Sequence, residues 1–351
     1  MSNPKRIIIP TGYMGSGSSV ITDLFSEIEG VDVSRGTFEY VFLHCPNGVF
    51  DLEDKLLIGN NAVRSDEALR SFEHTMTQLY DKKYWWVGHY KTNIGEDFLK
   101  ETKEYISELV DAESEYYWYY QENTDFRMFV KLCINRILKL ITLNKFKPKK
   151  ALVYDKMRVS FITPENFYSK TKKYIYNLFN MAGYRDQSIL FDQLLLPFNL
   201  FRFEKYFDDD AFVFVIERDP RDVFISNKYF WSKQGEPVPY PTDVKAFCKY
   251  YKGLRQMERK AQSDRIMRIK FEDLIYNYDK TVAEIFERLG WDIQTHKAPK
   301  SCFNPEKSIF NTQLFLRDKE YLKECEYIKE ELKEYIYDFP YEISHNQNKV
   351  F

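Results

Sequence analysis

Residues 6–30, RIIIPTGYMGSGSSVITDLFSEIEG, run from an isoleucine stretch through a glycine-serine turn into an amphipathic pattern. Ile7, Ile8 and Ile9 show no polar alternation, which fits a strand buried on both faces. Val20, Ile21, Leu24, Phe25 and Ile28 recur at the spacing of one helix face, and Gly30 stands just past the helix end. Strand, tight turn and helix in this order aim the turn's N–H groups and the positive end of the helix at one spot, which suits an anion. Gly12 and Gly17 occupy the glycine positions of G-x-x-x-x-G-K-[ST]. Ser18 and Ser19 follow them, so the lysine of that pattern is missing.

A strand buried on both faces needs neighbours, and the chain supplies them. FVFVI within 211–231 is a second buried-strand run, followed by Asp219 as an N-cap and Pro220 at the first helical position. RIMRIKF at 265–271 predicts a third strand, and Val282, Ile285, Phe286 and Leu289 a helix stopped by Gly290. SILF at 188–191 and VDVS after Gly30 predict two more strands. A last helix over 318–338 would align Tyr321, Cys325, Ile328, Leu332 and Ile336. Short strands alternating with helices predict an α/β fold: a central parallel sheet with helices on both faces, P-loop NTPase-like, with a mainly helical insertion. Residues 60–150 are polar, aromatic and helical in pattern and form that insertion or lid, within one domain spanning 1–351. EYYWYYQENTDF lies in its middle, and KFKPKK, at its end, reads as a solvated loop.

Composition narrows the function. The formal net charge of −2 argues against a protein that coats nucleic acid. No apolar stretch approaches the ~20 residues of a membrane span, so no integral membrane segment is expected. The five cysteines are scattered without a C-x-x-C pair, and the N-terminal apolar run is short, so the expectation is a cytoplasmic protein with reduced thiols and no metal site.

Chemistry concentrates at two places. RDPRDVFIS puts Arg218 at a strand end and Ser226 in the following helix, where a guanidinium and a hydroxyl can serve one phosphate. Two anion sites at the carboxyl ends of parallel strands suggest a ligand with phosphates at both ends. Here the chain resembles the PAPS-dependent sulfotransferases, closest in style to those acting on glycans. Gly15, Ser16, Gly17, Ser18 and Ser19 align with the family's K-S-G-T-T loop for the 5′-phosphosulfate. Arg218, Asp219, Pro220 and Ser226 match its R-[ND]-P-x-x-x-x-x-S segment for the 3′-phosphate. The strand, Glu-Asp-Leu and helix of 265–291 and the late loop FNPEKSIFN at 303–311 follow in the family's order, the latter flanked by Lys300 and Lys307 as further 3′-phosphate candidates.

The resemblance implies a sulfotransferase that moves a sulfuryl group from PAPS (3′-phosphoadenosine-5′-phosphosulfate), without a metal, to a hydroxyl or amine of a saccharide or glycoconjugate acceptor. It implies Glu39, in FEYVF, as the general base, with His44 as the alternative. The family's loop lysine is replaced by Gly15, and FDQLLLP, with Asp192 and Gln193, offers no lysine where glycan members carry one. Lys156 and Lys91 are the candidates for the missing positive charge. Two other readings are open: a P-loop small-molecule kinase, which would need the absent lysine, and an inactive nucleotide-binding member of the fold.

Overall fold

A computed structural model of the chain describes residues 3–33, 38–81, 87–114, 126–143, 145, 156–235 and 237–345. EYYWYYQENTDF up to Asp125, most of KFKPKK, Ser34 of VDVS and part of the aromatic run 84–120 lie outside the described residues. The chain forms two compact units, the first made of 1–41 and 179–351 and the second of 42–178.

In chain order the main elements are β1 (Ile7–Gly12), α1 (Ser19–Ser26), β2 (Val31–Asp32), α2 (Val49–Leu57), α3 (Ala62–Asp81), α4 (Tyr90–Asn93) and α5 (Phe98–Leu109). Next come β3 (Ala112–Ser114), α6 (Phe126–Ile141), β4 (Met157–Val159), α7 (Pro164–Met181), β5 (Ser188–Leu190) and α8 (Phe203–Tyr206). The last are β6 (Ala211–Glu217), α9 (Pro220–Ile225), α10 (Val244–Gln256), β7 (Ile266–Lys270), α11 (Asp273–Tyr276), α12 (Tyr278–Leu289), α13 (Pro305–Ser308) and α14 (Lys319–Glu331).

The first unit is built on a five-stranded parallel sheet in the order β2-β5-β1-β6-β7. β1 and β6 pair along their length, from Ile7↔Ala211 to Gly12↔Ile216. This register explains the uninterrupted apolar runs, because both faces are covered. Ile8, Phe212, Phe214, Ile216 and Ile269 pack with Val20, Leu24 and Phe25 of α1 and Val282, Ile285 and Leu289 of α12. On the other face Phe191 stacks on Phe179 with centroids 4.4 Å apart. Gly290 ends α12 at φ +67, as its position in the sequence requires.

Three boundaries differ from the sequence expectation. β2 keeps only Val31 and Asp32. The helix after β6 changes pitch, since α9 ends at Ile225 and Ser226–Trp231 continue as a π-helix. α14 stops at Glu331, and Tyr337 N–H donates to Asp219 Oδ2 at 2.9 Å. That bond to a buried carboxylate draws the chain out of the helix.

The second unit is helical with one antiparallel pair, β3 and β4. Its core is aromatic: Tyr105 and Tyr174 stack at 4.4 Å, and Phe72 meets both edge-on. Each tyrosine hydroxyl keeps a partner in the core, Tyr105 with Thr171 at 2.7 Å and Tyr174 with Thr102 at 2.9 Å. No helix among the described residues is long and apolar enough to cross a membrane.

One buried carboxylate fixes a loop the sequence left undefined. Glu27, just past α1, accepts from His296 Nε2 at 2.7 Å and from the N–H groups of Lys300, Cys302 and Phe303 at 3.0, 2.8 and 2.8 Å. Removing such an acceptor strands several buried donors. We therefore expect Glu27→Ala to destabilise the fold by about 3–5 kcal/mol. Amide exchange should rise first at Lys300, Cys302 and Phe303. Thermal unfolding and hydrogen exchange test this, and unchanged exchange at those three amides would refute the loop-anchoring role.

Candidate active site

The carboxyl ends of β1 and β6 lie side by side, so the two loops that follow them share one edge of the sheet. In the first loop Gly15 and Gly17 sit at φ +77 and +81, which a side chain adopts only with strain. A Cβ on Gly15 would also lie 2.9 Å from the Trp231 ring. The family's lysine is thus absent where neither backbone nor neighbour admits it.

The loop carbonyls are tied from behind. Tyr240 Oη donates to Met14 O at 2.9 Å, and Arg218 Nη1 donates to Gly15 O at 3.2 Å. Among the described residues the N–H groups of Gly17, Ser18 and Ser19 have no protein partner, while Val20 and Ile21 donate back to Gly17 and Ser18. The loop thus keeps donors free at the N-terminus of α1.

Arg218 links three segments. Its Nη2 donates to Asn311 O at 2.5 Å, and its guanidinium lies 5.0 Å from the Phe271 ring centroid. Its Nε, Ser16 Oγ and Ser226 Oγ are buried without a hydrogen-bond partner. Such groups cost about 1–3 kcal/mol each unless something completes them. Three orphaned donors at two of the sequence-derived anion motifs fit a phosphate-bearing ligand.

Asp219 is structural. It caps α9 through Arg221 N–H and pairs with the Arg221 guanidinium at 2.7 Å. Its own N–H donates to Glu272 Oε1 at 2.9 Å. Burial, reinforced by the Asp219 charge, pushes Glu272 up to about 8. Asp222 is raised for the same two reasons while it accepts from Gln313 and Leu314 N–H.

At the end of β5, Gln193 bridges to the first loop. Its amide donates to Ser18 Oγ at 3.0 Å, and its Oε1 accepts from Thr11 Oγ1 at 3.2 Å. Beside it stands Asp192, with Oδ1 buried and unpartnered, and its carbonyl accepts Tyr40 N–H at 2.9 Å. Burial pushes the Glu39 carboxyl up to about 7, and burial with the neighbouring Glu39 charge pushes Asp192 up to about 7. Two neighbouring carboxyls raised in this way hold a proton near neutrality. In the sequence Asp192 marks only a position without lysine, yet the fold sets it beside Glu39. Its one sequence signal was a carboxylate directly after a buried strand.

The other candidates make contacts of their own. Lys300 folds its ammonium over Tyr278 at 5.0 Å and borders a cavity of about 370 Å³ with Asn277, Pro305 and Ile309. Lys307 is exposed on α13. Asn311, rather than either lysine, is the late-loop residue bonded to Arg218. His44 and Lys156 belong to the second unit: His44 is half-buried in a turn, and Lys156 is exposed and paired with Glu113 at 3.1 Å. Lys91, in the same unit, is exposed and faces Glu96 at 3.9 Å.

Residues 59–295 match the model of the sulfotransferase family, and the chain belongs to that family, which makes it a transferase. The match begins after the first loop and includes Arg218–Ser226. Among solved structures, the chain is similar to the sulfotransferase domain from the olefin synthase of Synechococcus PCC 7002, at 13% identity over 97% of this chain and 98% of that one, with TM-score 0.39. It is similar also to the sulfotransferase domain from the curacin biosynthetic pathway, at 13% identity over 85% and 77% of the two chains, TM-score 0.36. A Mycobacterium avium sulfotransferase aligns at 13% identity over 95% and 76%, TM-score 0.35. A comparison with curated proteins gave no match.

The geometry of Gly15 yields a test. Gly15→Lys, which restores the family residue, should lower stability by about 1–2 kcal/mol through the left-handed backbone alone, and more through Trp231. Adding Trp231→Ala should return part of that loss. Melting temperatures of the single and double variants decide it. A fully stable Gly15→Lys protein would show that the loop tolerates the lysine.

Proposed function

We propose that the protein transfers the sulfuryl group of PAPS to a hydroxyl or amine of a saccharide or glycoconjugate acceptor. The observation that carries this reading is the trio of buried, unpartnered donors, Ser16 Oγ, Arg218 Nε and Ser226 Oγ, in two loops joined by the Arg218–Gly15 bond. In the reaction the acceptor oxygen or nitrogen forms a bond to sulfur as the bond from sulfur to the bridging phosphate oxygen breaks. The acceptor's proton passes to a carboxylate, and 3′-phosphoadenosine-5′-phosphate departs. The free N–H groups of Gly17, Ser18 and Ser19 are disposed to hold the 5′-phosphate and the charge that develops on it. Arg218 and Ser226 are assigned to the 3′-phosphate, with Lys300 and Lys307 as outer contacts. Glu39 is assigned as base, with Asp192 sharing its proton. The saccharide class rests on the likeness of the Glu39 stretch to glycan sulfotransferases. A kinase would require a lysine where Ser18 stands.

Donor binding is testable without an acceptor. At a concentration 100 times its dissociation constant, 3′-phosphoadenosine-5′-phosphate should stabilise the fold by ~2.7 kcal/mol, with ATP and Mg²⁺ adding less. Arg218→Ala should weaken it by roughly 1.5–3 kcal/mol and Ser226→Ala by ~0.5–1.5 kcal/mol. Both losses should shrink for an analogue lacking the 3′-phosphate. Equal stabilisation by ATP, or equal losses for both analogues, would refute the assignment.

Turnover should carry the signature of the carboxyl pair. With folded-state values near 7 for Glu39 and Asp192, kcat/KM should rise with pH through about 7 as the pair ionises. Stability moves the opposite way. The values exceed the ~4 of an unfolded carboxyl, so this contribution is complete below about pH 4 and is lost as pH rises through 7. Asp192→Asn should shift the rate limb to lower pH. Glu39→Gln should keep donor affinity and lower turnover by about 10²–10⁴-fold. A larger loss from His44→Asn would move the base to His44, and full activity in folded Glu39→Gln would remove Glu39 from the mechanism.

A further inference from the structure

Helix α6, Phe126–Ile141, exposes the residues that other helices bury. In α3 the apolar side chains Ala68, Leu69, Phe72, Met76 and Leu79 are all buried. In α6, Phe126, Leu140 and Ile141 are 80%, 70% and 73% exposed, and Phe129, Ile134 and Ile137 are at least half exposed. A contiguous apolar surface of this kind on a folded protein marks a binding face.

The pattern of the helix identifies the occupant. At about 100° per residue, Phe126, Phe129, Val130, Ile137, Leu140 and Ile141 share an arc of about 120°. Lys131 and Lys139 lie on the opposite side, between Leu132 and Leu138, Arg127 and Arg136 stand near the two borders, and all four cations are exposed. The whole stretch 126–154 contains eight Lys and Arg and no Asp or Glu, in a chain whose formal charge is −2. A second copy of this helix would cover the apolar arc but leave the basic side chains without an anionic partner. An anionic lipid surface satisfies both faces: the apolar arc enters the boundary between headgroups and acyl chains, and the basic side chains meet lipid phosphates. With 16 residues the helix is ~24 Å long, and with four charges it suits lying in the interface rather than crossing it.

We propose that α6 is an interfacial helix that holds this enzyme against an anionic membrane. The inference is independent of the donor and acceptor assignments, since none of their residues lies in α6.

The full-length chain, floated with vesicles of phosphatidylcholine alone or mixed with phosphatidylserine, tests it. Binding should favour the serine-containing vesicles and weaken as salt rises. Lys131→Gln with Lys139→Gln should weaken it about 25-fold, at about fivefold per charge. Phe129→Glu with Ile137→Glu should abolish it while leaving the melting temperature and donor affinity unchanged, because both side chains are exposed. No flotation of the full-length chain, or flotation unaffected by the double glutamate variant, would overturn the proposal. So would a dimer in sedimentation velocity that the glutamate variant dissolves, since the face would then belong to a second copy. Vesicle binding abolished by charge removal but indifferent to the glutamates would also overturn it, as attraction without insertion.

Discussion

The guanidinium of Arg218 holds the loops at one edge of the parallel sheet together. It donates to the carbonyls of Gly15 and Asn311 and lies over Phe271, so one side chain joins the first loop, the late loop and the end of β7. It reaches them because β1 and β6 pair in register to their last residues, which brings segments about 200 residues apart in sequence to one sheet edge. A carbonyl held by Arg218 cannot turn toward the ligand space. The N–H groups of the same loop are left facing the other way. The polarity of the loop thus follows from a bond behind it.

Negative charge is distributed around this hub in two different ways. Glu217 would be raised by burial, but Lys270 at 3.0 Å and Arg255 at 2.6 Å hold it down to about 2. It stays ionised and holds the side chains at the end of β6 in place. Glu39 and Asp192 have no such cations among the causes of their shifts and are pushed upward. The same residue type is therefore held ionised at Glu217 and raised toward neutrality at Glu39.

The strands and motifs were legible because each rests on a local signal. The isoleucine run, the Asp219-Pro220 start of α9 and Gly290 all mean the same thing in any protein, and the structure places them as expected. What was not legible depends on long-range pairing. Glu27 reads in the sequence as one more polar residue at a helix end, and only the fold brings residues 296–303 onto it. The end of α14 depends on Asp219, more than a hundred positions away, claiming the N–H of Tyr337. The nearness of Asp192 to Glu39 likewise appears only in the fold, where Tyr40 N–H donates to the Asp192 carbonyl.

The glycine at position 15 acquires a physical meaning from these contacts. An ammonium there would be a mobile charge that must be desolvated and aimed for each turnover. This loop instead presents backbone N–H groups already fixed by the bonds from Tyr240 and Arg218, with the N-terminus of α1 behind them. Donors that need no reorganisation stabilise developing charge most effectively in a site from which water is excluded. The Trp231 ring lies against the loop, where a Cβ on Gly15 would come within 2.9 Å of it. In the proposed reaction the leaving phosphate is then stabilised by fixed dipoles, while Arg218 holds the loop that presents them. The cations Arg255, Arg268 and Lys270 are paired with Glu217 at the end of β6.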